Sequence, residues 1–324
     1  MTLAIAILNW NGKKWLEQFL PSVIRYSPDA SIYVIDNASD DDSVAFVKSR
    51  FPEVYIVENQ NNSGFAAGYN EGLRSVTADI YCLLNSDVEV TENWLKPVLK
   101  LFSDNPSIAA VQPKILNFNK KNQFEFAGAA GGLIDNLGYP YCRGRIFDNI
   151  EDDHGQYDDE AEIFWASGCS LFVRSSDFWT MDGFDGRFFA HQEEIDLCWR
   201  LKNAGRKIFY TGKSTVFHVG GGTLNKQNPR KTFLNFRNNL TMLVKNLPAG
   251  SLIPVIFARL VLDGLAGLYF GYKNGWSHLA AILKAHFAFY GEIPKSLRMR
   301  QKHQIKNYYQ SKWLIFKHFS GSKK

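Results

Sequence analysis

The segment LLNSDVEV, residues 83–90, runs out of an apolar strand into Ser86, Asp87 and Glu89, where a Gly or Pro turn would be ordinary. A carboxylate in that place suits a hard divalent cation, Mg2+ or Mn2+, which prefers carboxylate and phosphate oxygens and keeps several waters. One or two protein carboxylates suffice when a diphosphate supplies the other ligands. Asp87 is then the first candidate ligand and Glu89, two residues on along a continuing strand, the second. The structural alternative is a turn in which Ser86 and Asp87 cap a helix starting near Thr91. Asp36, in SIYVIDNAS, is a second carboxylate at a strand end, placed to accept hydrogen bonds from a nucleobase or ribose. Alternatively Asp36, Asn37, Ser39 or Asp40 caps the next helix. In NQNNSGFAAGYNEG, residues 59–72, Gly64 and Gly68 permit close backbone approach, and the amides of Asn62 and Asn70 could meet a base or a phosphate. Tight helix–strand packing asks for the same small residues.

These residues sit in a regular alternation. LAIAILNW, SIYVIDN, VYIVEN, DIYCLLN and IAAVQPKI are short, rich in Val, Ile and Tyr, and bounded by turn formers. Between them lie helical patterns: GKKWLEQFLPSVIRY, with Leu16, Phe19, Leu20, Val23 and Ile24 on one face, then DDSVAFVKSRF, FAAGYNEGLRSV and TENWLKPVLKLF. The alternation predicts an α/β fold with a parallel, doubly wound sheet covered by helices on both sides and ligands beyond the carboxyl ends of its strands. Residues 117–162 read as long loops, Gly-rich and then acidic. EIFWASGCSLFVRS follows as a strand-like run, HQEEIDLCWRLKNAG as a helix ending at Gly205, and KIFYTG and STVFHVG as two more strands. Beyond about Thr232 the chain turns to apolar and aromatic helical segments.

With 324 residues, 45% of them hydrophobic, the chain can bury a sizeable core. Its four cysteines form no CxxC pair, which argues against a disulfide framework or structural zinc and fits a reducing, cytoplasmic setting. MTLAIAILNW has no basic segment before its apolar run and reads as a first strand, not a signal peptide. Nine of the 37 Lys and Arg residues, and none of the 32 Asp and Glu residues, lie in 295–324, so a mildly acidic body carries a basic tail. Interleaved with Tyr308, Tyr309, Trp313, Ile315, Phe316 and Phe319, that tail suits an anionic membrane surface; no nucleic-acid partner is expected.

IAILNWNG, VIDNASDDDS, NNSGFAAGYNEG, LLNSDVEV, FWASGCSLFVRSSDF, GFDGRFFAHQEEIDLCWRL and VFHVGGGT occur in the order and at roughly the separations seen in glycosyltransferase family 2. The chain thus resembles, over about residues 3–245, the GT-A-fold inverting enzymes of that family, and among them the bacterial rhamnosyltransferase-like branch, which implies a doubly wound sheet that is mixed and mostly parallel, followed here by a C-terminal helical extension. By that resemblance, Asp36 contacts the nucleoside of a nucleotide-sugar donor, a dTDP- or UDP-sugar, with Asn62, Gly64, Gly68 and Asn70 beside it. Asp87 is the surviving acid of the family's DxD motif, which here reads Asn85-Ser86-Asp87. His218 corresponds to a histidine near the diphosphate, where a neutral imidazole can ligate the metal. The family writes the catalytic segment Glu-Asp-x-Asp-Leu, so Glu193 and Glu194 fill its acidic positions and Glu194 falls where the general base belongs. These acids also suit the positive end of a helix dipole, and Asp196 can pair with Arg200 one turn on. Trp165 and Gly168 would sit beneath donor sugar and acceptor, though a Trp there is equally a core residue. The change of character after Thr232 sets a boundary near Phe233, between an expected GT-A catalytic domain over residues 1–232, with a nucleotide-binding half (1–116) and an acceptor half (117–232), and a helical, basic, membrane-proximal region (233–324).

SLIPVIFARLVLDGLAGLYFGY, residues 251–272, is long enough to span a bilayer. Its strongly apolar residues contribute about −3 to −7 kcal/mol, while Arg259 and Asp263 at mid-bilayer cost about +2.5 to +3.5 each, leaving a sum near zero. Arg259 and Asp263 are four apart and can pair on one helical face. The expectation is a helix lying in the interface or packed on the catalytic domain, with HLAAILKAHFAFYG as a second such helix and a soluble cap or dimer interface as the alternative.

The expected protein is a cytoplasmic enzyme, peripheral at the inner face of the membrane. It moves a sugar, rhamnose being the first candidate, to a lipid-linked surface glycan. Two rivals are a sugar nucleotidyltransferase, which would want a Gly-rich triphosphate loop where this chain has NWNGKKWLEQ, and a catalytically silent scaffold subunit, which would not need the Glu193-Glu194 pair.

Overall fold

The computed structural model describes residues 1–220 and 228–319, apart from the side chains of Lys317 and Phe319. Gly221, Gly222 and Thr223 of the VFHVGGGT motif, and Lys323 and Lys324 of the basic tail, lie outside the described residues.

The amino-terminal half follows the alternation. Strands β1 (Leu3–Asn9), β2 (Ser31–Asp36), β3 (Tyr55–Glu58), β4 (Ile80–Asn85), β5 (Val88–Val90) and β6 (Ile108–Asn117) are interleaved with helices α1 (Lys13–Tyr26), α2 (Ser43–Arg50), α3 (Gly64–Gly72) and α4 (Leu95–Asp104). β1 is buried on both faces, and its side chains divide the core. Ala4 and Ala6 pack with Ala66, Tyr69 and Leu73 on one side of the sheet, while Leu3, Ile5 and Ile7 pack with Leu16, Leu20 and Val23 on the other. α4 starts at Leu95, not near Thr91, because Val88–Val90 is held as a short strand.

After β6 the segment expected as loops instead forms a small antiparallel sheet of β7 (Gly132–Ile134), β8 (Pro140–Cys142), β9 (Arg145–Ile146) and β10 (Asn149–Ile150). The run expected as one strand is two, β11 (Glu160–Ile163) and β12 (Ser170–Arg174), separated by the buried stretch 164–169. α5 (Ser175–Thr180) and α6 (Glu193–Asn203) follow. The two runs expected next are a single β13 (Lys207–His218), whose register against β6 shifts between Thr211 and Thr215. Gly212 sits in that irregularity because a Cβ there would meet the Tyr157 carbonyl at 2.2 Å.

Among the described residues the main sheet has the order β11-β13-β6-β12-β4-β1-β2-β3, with β5 on β13. β1, β2, β3 and β4 are parallel, as are β6 and β13. β12 slots antiparallel between β4 and β6, so the sheet is mixed, as the resemblance implies. The parallel register aligns Asn9 with Asp36, and Leu8 with Asn85, at one edge.

The chain ends in α7 (Pro229–Asn246), α8 (Ala249–Asn274), α9 (Trp276–Arg298) and α10 (Leu314–Phe319). The tail returns to the β7–β8 turn: the Leu314 amide donates to Asp135 Oδ2 (3.1 Å) and the Tyr308 hydroxyl to the Asn136 carbonyl (2.7 Å).

Candidate active site

The carboxyl edge of the parallel strands is built from asparagines. Asn9 closes β1 and its Nδ2 donates to Asp36 Oδ1 at 2.9 Å, while Asp36 Oδ2 accepts the Ser39 amide at 2.9 Å. Asp36, 3% exposed, therefore shapes the turn after β2, where Ala38 has φ 58°. Asn37 continues the line: its Nδ2 donates to Asn62 Oδ1 (3.0 Å) and the Gly64 carbonyl (3.1 Å), and its Oδ1 accepts from Asn59 (3.1 Å). Gly68 is required because a Cβ there would lie 2.9 Å from Asn37 Oδ1, and Gly64 because φ is +85° and Phe189 is packed against it. Asn62 stays exposed at the rim. Asn70 corrects the expectation of a ligand contact: both ends of its amide hold the Phe184 backbone, at 2.7 and 2.9 Å.

Beyond β4 the chain turns through Ser86 and Asp87. Asp87 Oδ1 lies 3.2 Å from His218 Nε2, and the Val219 amide donates to the Asp87 carbonyl at 3.1 Å, so the end of β13 is fixed beside the end of β4. On its other nitrogen His218 meets Glu125 Oε2 at 3.4 Å. Burial works to raise the Asp87 carboxyl, but His218 and backbone amides outweigh it and hold it below the ordinary range. Burial likewise opposes the His218 imidazolium, yet Cys169, Glu125 and Asp87 raise its pKa well above the usual value.

Among the described residues, no Lys or Arg pairs with Asp87 or Glu125, both nearly buried. Two buried carboxylates against one imidazolium leave net negative charge, and an acid oxygen beside an imidazole that can give up its proton suits a hard divalent cation. Among the described residues, no three His, Cys, Asp or Glu side chains are placed to hold a metal unaided. Glu89, the second candidate ligand, is corrected: its carboxylate pairs with Lys121 at 2.5 Å and lines a surface groove with Gln18 and Arg25. The cause is the early start of β5, which carries Glu89 opposite Phe217 in the ladder.

Cys169, which interacts with His218, follows Gly168, whose backbone amide faces the Glu194 carboxylate. This short path joins the Asp87–His218 centre to the acidic pair at the start of α6. Burial and Glu194 drive the Glu193 carboxyl well above its ordinary value. Burial raises Glu194 as well, but the amides of Glu194, Ile195, Gly168 and Gln192 pull it back, to about 7. Neighbouring acids pushed apart in this way divide into a protonated member, Glu193, and one that exchanges protons near neutrality, Glu194. One carboxylate oxygen of each, Oε2, is buried and lacks a hydrogen-bond partner. Asp196 is spoken for: it pairs with Arg200 at 2.8 Å, as expected, and with the buried Lys245 at 2.8 Å.

Trp165 is also corrected. It is 3% exposed, its indole N–H donates to the Leu133 carbonyl at 2.8 Å, and its ring packs on Gly132, so it offers no face to a sugar. Gly168 does lie at the centre, with Phe65 and Glu194 against it.

The loop before Glu193 is strained: Phe189, His191 and Gln192 have φ of 63°, 72° and 74°. It is held from two sides. The Phe189 carbonyl accepts the amides of Phe65 (2.6 Å) and Ala66 (3.2 Å) at the start of α3. From α7, Asn238 Nδ2 reaches the carbonyls of Phe188 (2.9 Å), Ala190 (2.9 Å) and His191 (2.8 Å). Glu125, Asn238 and Lys245 were not legible as site residues. Glu125 lies in a segment without periodicity, although Asn238, Asn239, Lys245 and Asn246 at buried positions of an apolar helix were a signal.

Residues 4–160 match the family described as Glycosyl transferase family 2. A pre-mycofactocin glycosyltransferase of Mycobacterium tuberculosis is 26% identical over 185 residues, 56% of this chain and 35% of that protein, so the chain spans about a third of that relative. An N-acetylglucosaminyl-diphospho-decaprenol L-rhamnosyltransferase of the same organism is 24% identical over 233 residues, 67% of this chain and 75% of that protein. The crystal structure of GalNAc-T7 with UDP, GalNAc and Mn2+ superposes with a TM-score of 0.62 at 16% identity, covering 77% of this chain and 48% of that one. The fold is GT-A, and residues 4–160 are similar to glycosyltransferase family 2.

Proposed function

We propose that this chain is an inverting, metal-assisted glycosyltransferase. It would take a sugar, with rhamnose the first candidate, from a dTDP- or UDP-sugar and pass it to a lipid-linked glycan at the inner face of the cytoplasmic membrane. The observation that carries the proposal is the continuity of Asp87, His218, Cys169, Gly168 and Glu194 along one edge of the sheet. Relatives support the sugar and acceptor classes: one is named for L-rhamnosyl transfer to a decaprenyl-diphosphate-linked sugar, and one structural neighbour holds UDP with Mn2+.

In this scheme the turn fixed by Asn9, Asp36 and Asn37 receives the nucleoside, with Asn62 at its rim. Asp87 and His218 would hold a divalent cation, which when bound offsets charge on the departing diphosphate. Glu194 takes the proton from the acceptor hydroxyl as its oxygen attacks the anomeric carbon from the face opposite the diphosphate. The new carbon–oxygen bond forms as the bond to the diphosphate breaks, and Glu194 later releases the proton to solvent. Glu193, kept neutral, spares Glu194 a second adjacent charge.

The test is thermal stabilisation of the purified chain by a panel of nucleoside diphosphate sugars with and without Mn2+. One donor class should raise the melting temperature only with the cation, and Asp87→Asn should remove the cation-dependent part. A shift independent of Mn2+, or one unchanged in Asp87→Asn, would reject the metal assignment. No stabilisation by any nucleotide sugar would reject the donor class.

A further inference from the structure

α8 and α9 are amphipathic in the inverted sense. Two of the three charged residues of α8 face the protein: Arg259 and Asp263, 3% and 1% exposed, pair at 3.4 Å. Arg259 also donates to the Leu137 and Gly138 carbonyls and stacks 3.8 Å from the centre of the Tyr139 ring. The opposite side carries Ile253, Phe257, Leu265 and Tyr272, which are 79%, 70%, 59% and 89% exposed. α9 adds Trp276 and Phe287 at 69% and 74%. A helix on a water-facing surface turns these residues the other way. A 26-residue helix is roughly 39 Å long, so the stripe exceeds the scattered apolar residues of ordinary surfaces.

Charge selects the occupant. The two carboxylates on these helices are neutralised or buried: Asp263 by Arg259, and Glu292 by Arg187 at 2.6 Å. Lys273, Lys284, Lys295 and Arg298 remain exposed. A second copy of this chain, docked face to face, would set these cations against their own kind. Anionic headgroups would complement them, with the apolar stripe in the acyl boundary. Spanning the bilayer would tear Arg259 and Asp263 from the Tyr139 turn, so the helix lies flat.

We propose that α8 and α9 form a platform seated in the interface of an anionic bilayer. The platform is tied to the catalytic loop, since Glu292 of α9 pairs with Arg187, whose carbonyl accepts from Arg237 at 2.8 Å. Lipid binding stands without the transfer scheme; only its purpose, presenting the site to a lipid-linked acceptor, rests on that scheme.

The experiment is flotation of the full chain with vesicles of phosphatidylcholine alone or with phosphatidylglycerol, alongside light scattering without lipid. The wild type should bind phosphatidylglycerol vesicles at least tenfold better than neutral ones, less so in high salt. Phe257→Ser with Leu265→Ser should lose at least tenfold of that binding while keeping its thermal shift with donor. Equal binding by wild type and double variant, or no preference for anionic lipid, would overturn the proposal. So would a stable dimer that becomes monomeric in the double variant, which would assign the face to a second copy. Loss of donor stabilisation with vesicle binding intact would strike only the transfer scheme.

Discussion

Asn238→Ala removes the clamp on the strained loop without touching either acid. The Asn238 amide has two hydrogens serving three carbonyls, those of Phe188, Ala190 and His191. Each net hydrogen bond contributes about 0.5–1.5 kcal/mol, so roughly 2 kcal/mol of restraint is lost. The loop it restrains holds three non-glycine residues at positive φ, at about 1–3 kcal/mol each, and has reason to relax. Arg237 still holds the Arg187 and Phe188 carbonyls, so the chain should stay folded. If relaxation takes Glu194 off line, 2 kcal/mol corresponds to about 30-fold in kcat. Initial rates with the stabilising donor should show that fall while the donor KM stays within about threefold, because the nucleoside turn keeps its own hydrogen bonds among Asn9, Asp36, Asn37, Ser39 and Asn59. A kcat within threefold of wild type, or a loss matching the loss of folded protein, would refute this reasoning.

The pH dependence follows from Glu194 at about 7: kcat/KM should rise about tenfold per unit up to pH 7 and level off above it, checked by initial rates between pH 5 and 9. For stability, a carboxyl whose folded pKa lies above its unfolded value contributes fully below about 4.5, and the contribution is lost as pH rises through 7. Glu194→Gln should therefore raise the melting temperature more at pH 8 than at pH 5, as measured by calorimetry. Lys245→Met strips the cation shared by buried Asp185 and Asp196, at 2.9 and 2.8 Å. With Arg187 and Arg200 still in place, the loss should be about 3 kcal/mol, read from urea unfolding.

What the sequence made legible was whatever periodicity encodes. β1, β2 and β4 are apolar because they are buried on both faces, and α1 shows its face as Leu16, Phe19, Leu20 and Val23. Strand order is not periodic, so nothing in SLFVR announced that β12 would enter antiparallel between β4 and β6. β7 to β10 are two or three residues each, too short to alternate visibly. Motif order placed Asp87, His218, Gly168 and Glu194, but not which side chains were free. Asn70 and Trp165 were read as ligand contacts because an amide and an indole look the same whether they meet a substrate or a backbone carbonyl. Asp87 lies in the turn after β4, whereas Glu89 lies past it in β5.

The assignment of Glu194 as the base is tested most directly by turnover of Glu194→Gln and Glu193→Gln with the stabilising donor. Glu194→Gln should lose roughly 10²–10⁴-fold in kcat while its thermal shift with donor persists. Glu193, already protonated, is mimicked by Gln and should lose far less. Wild-type turnover in Glu194→Gln, or the larger loss in Glu193→Gln, would contradict the assignment.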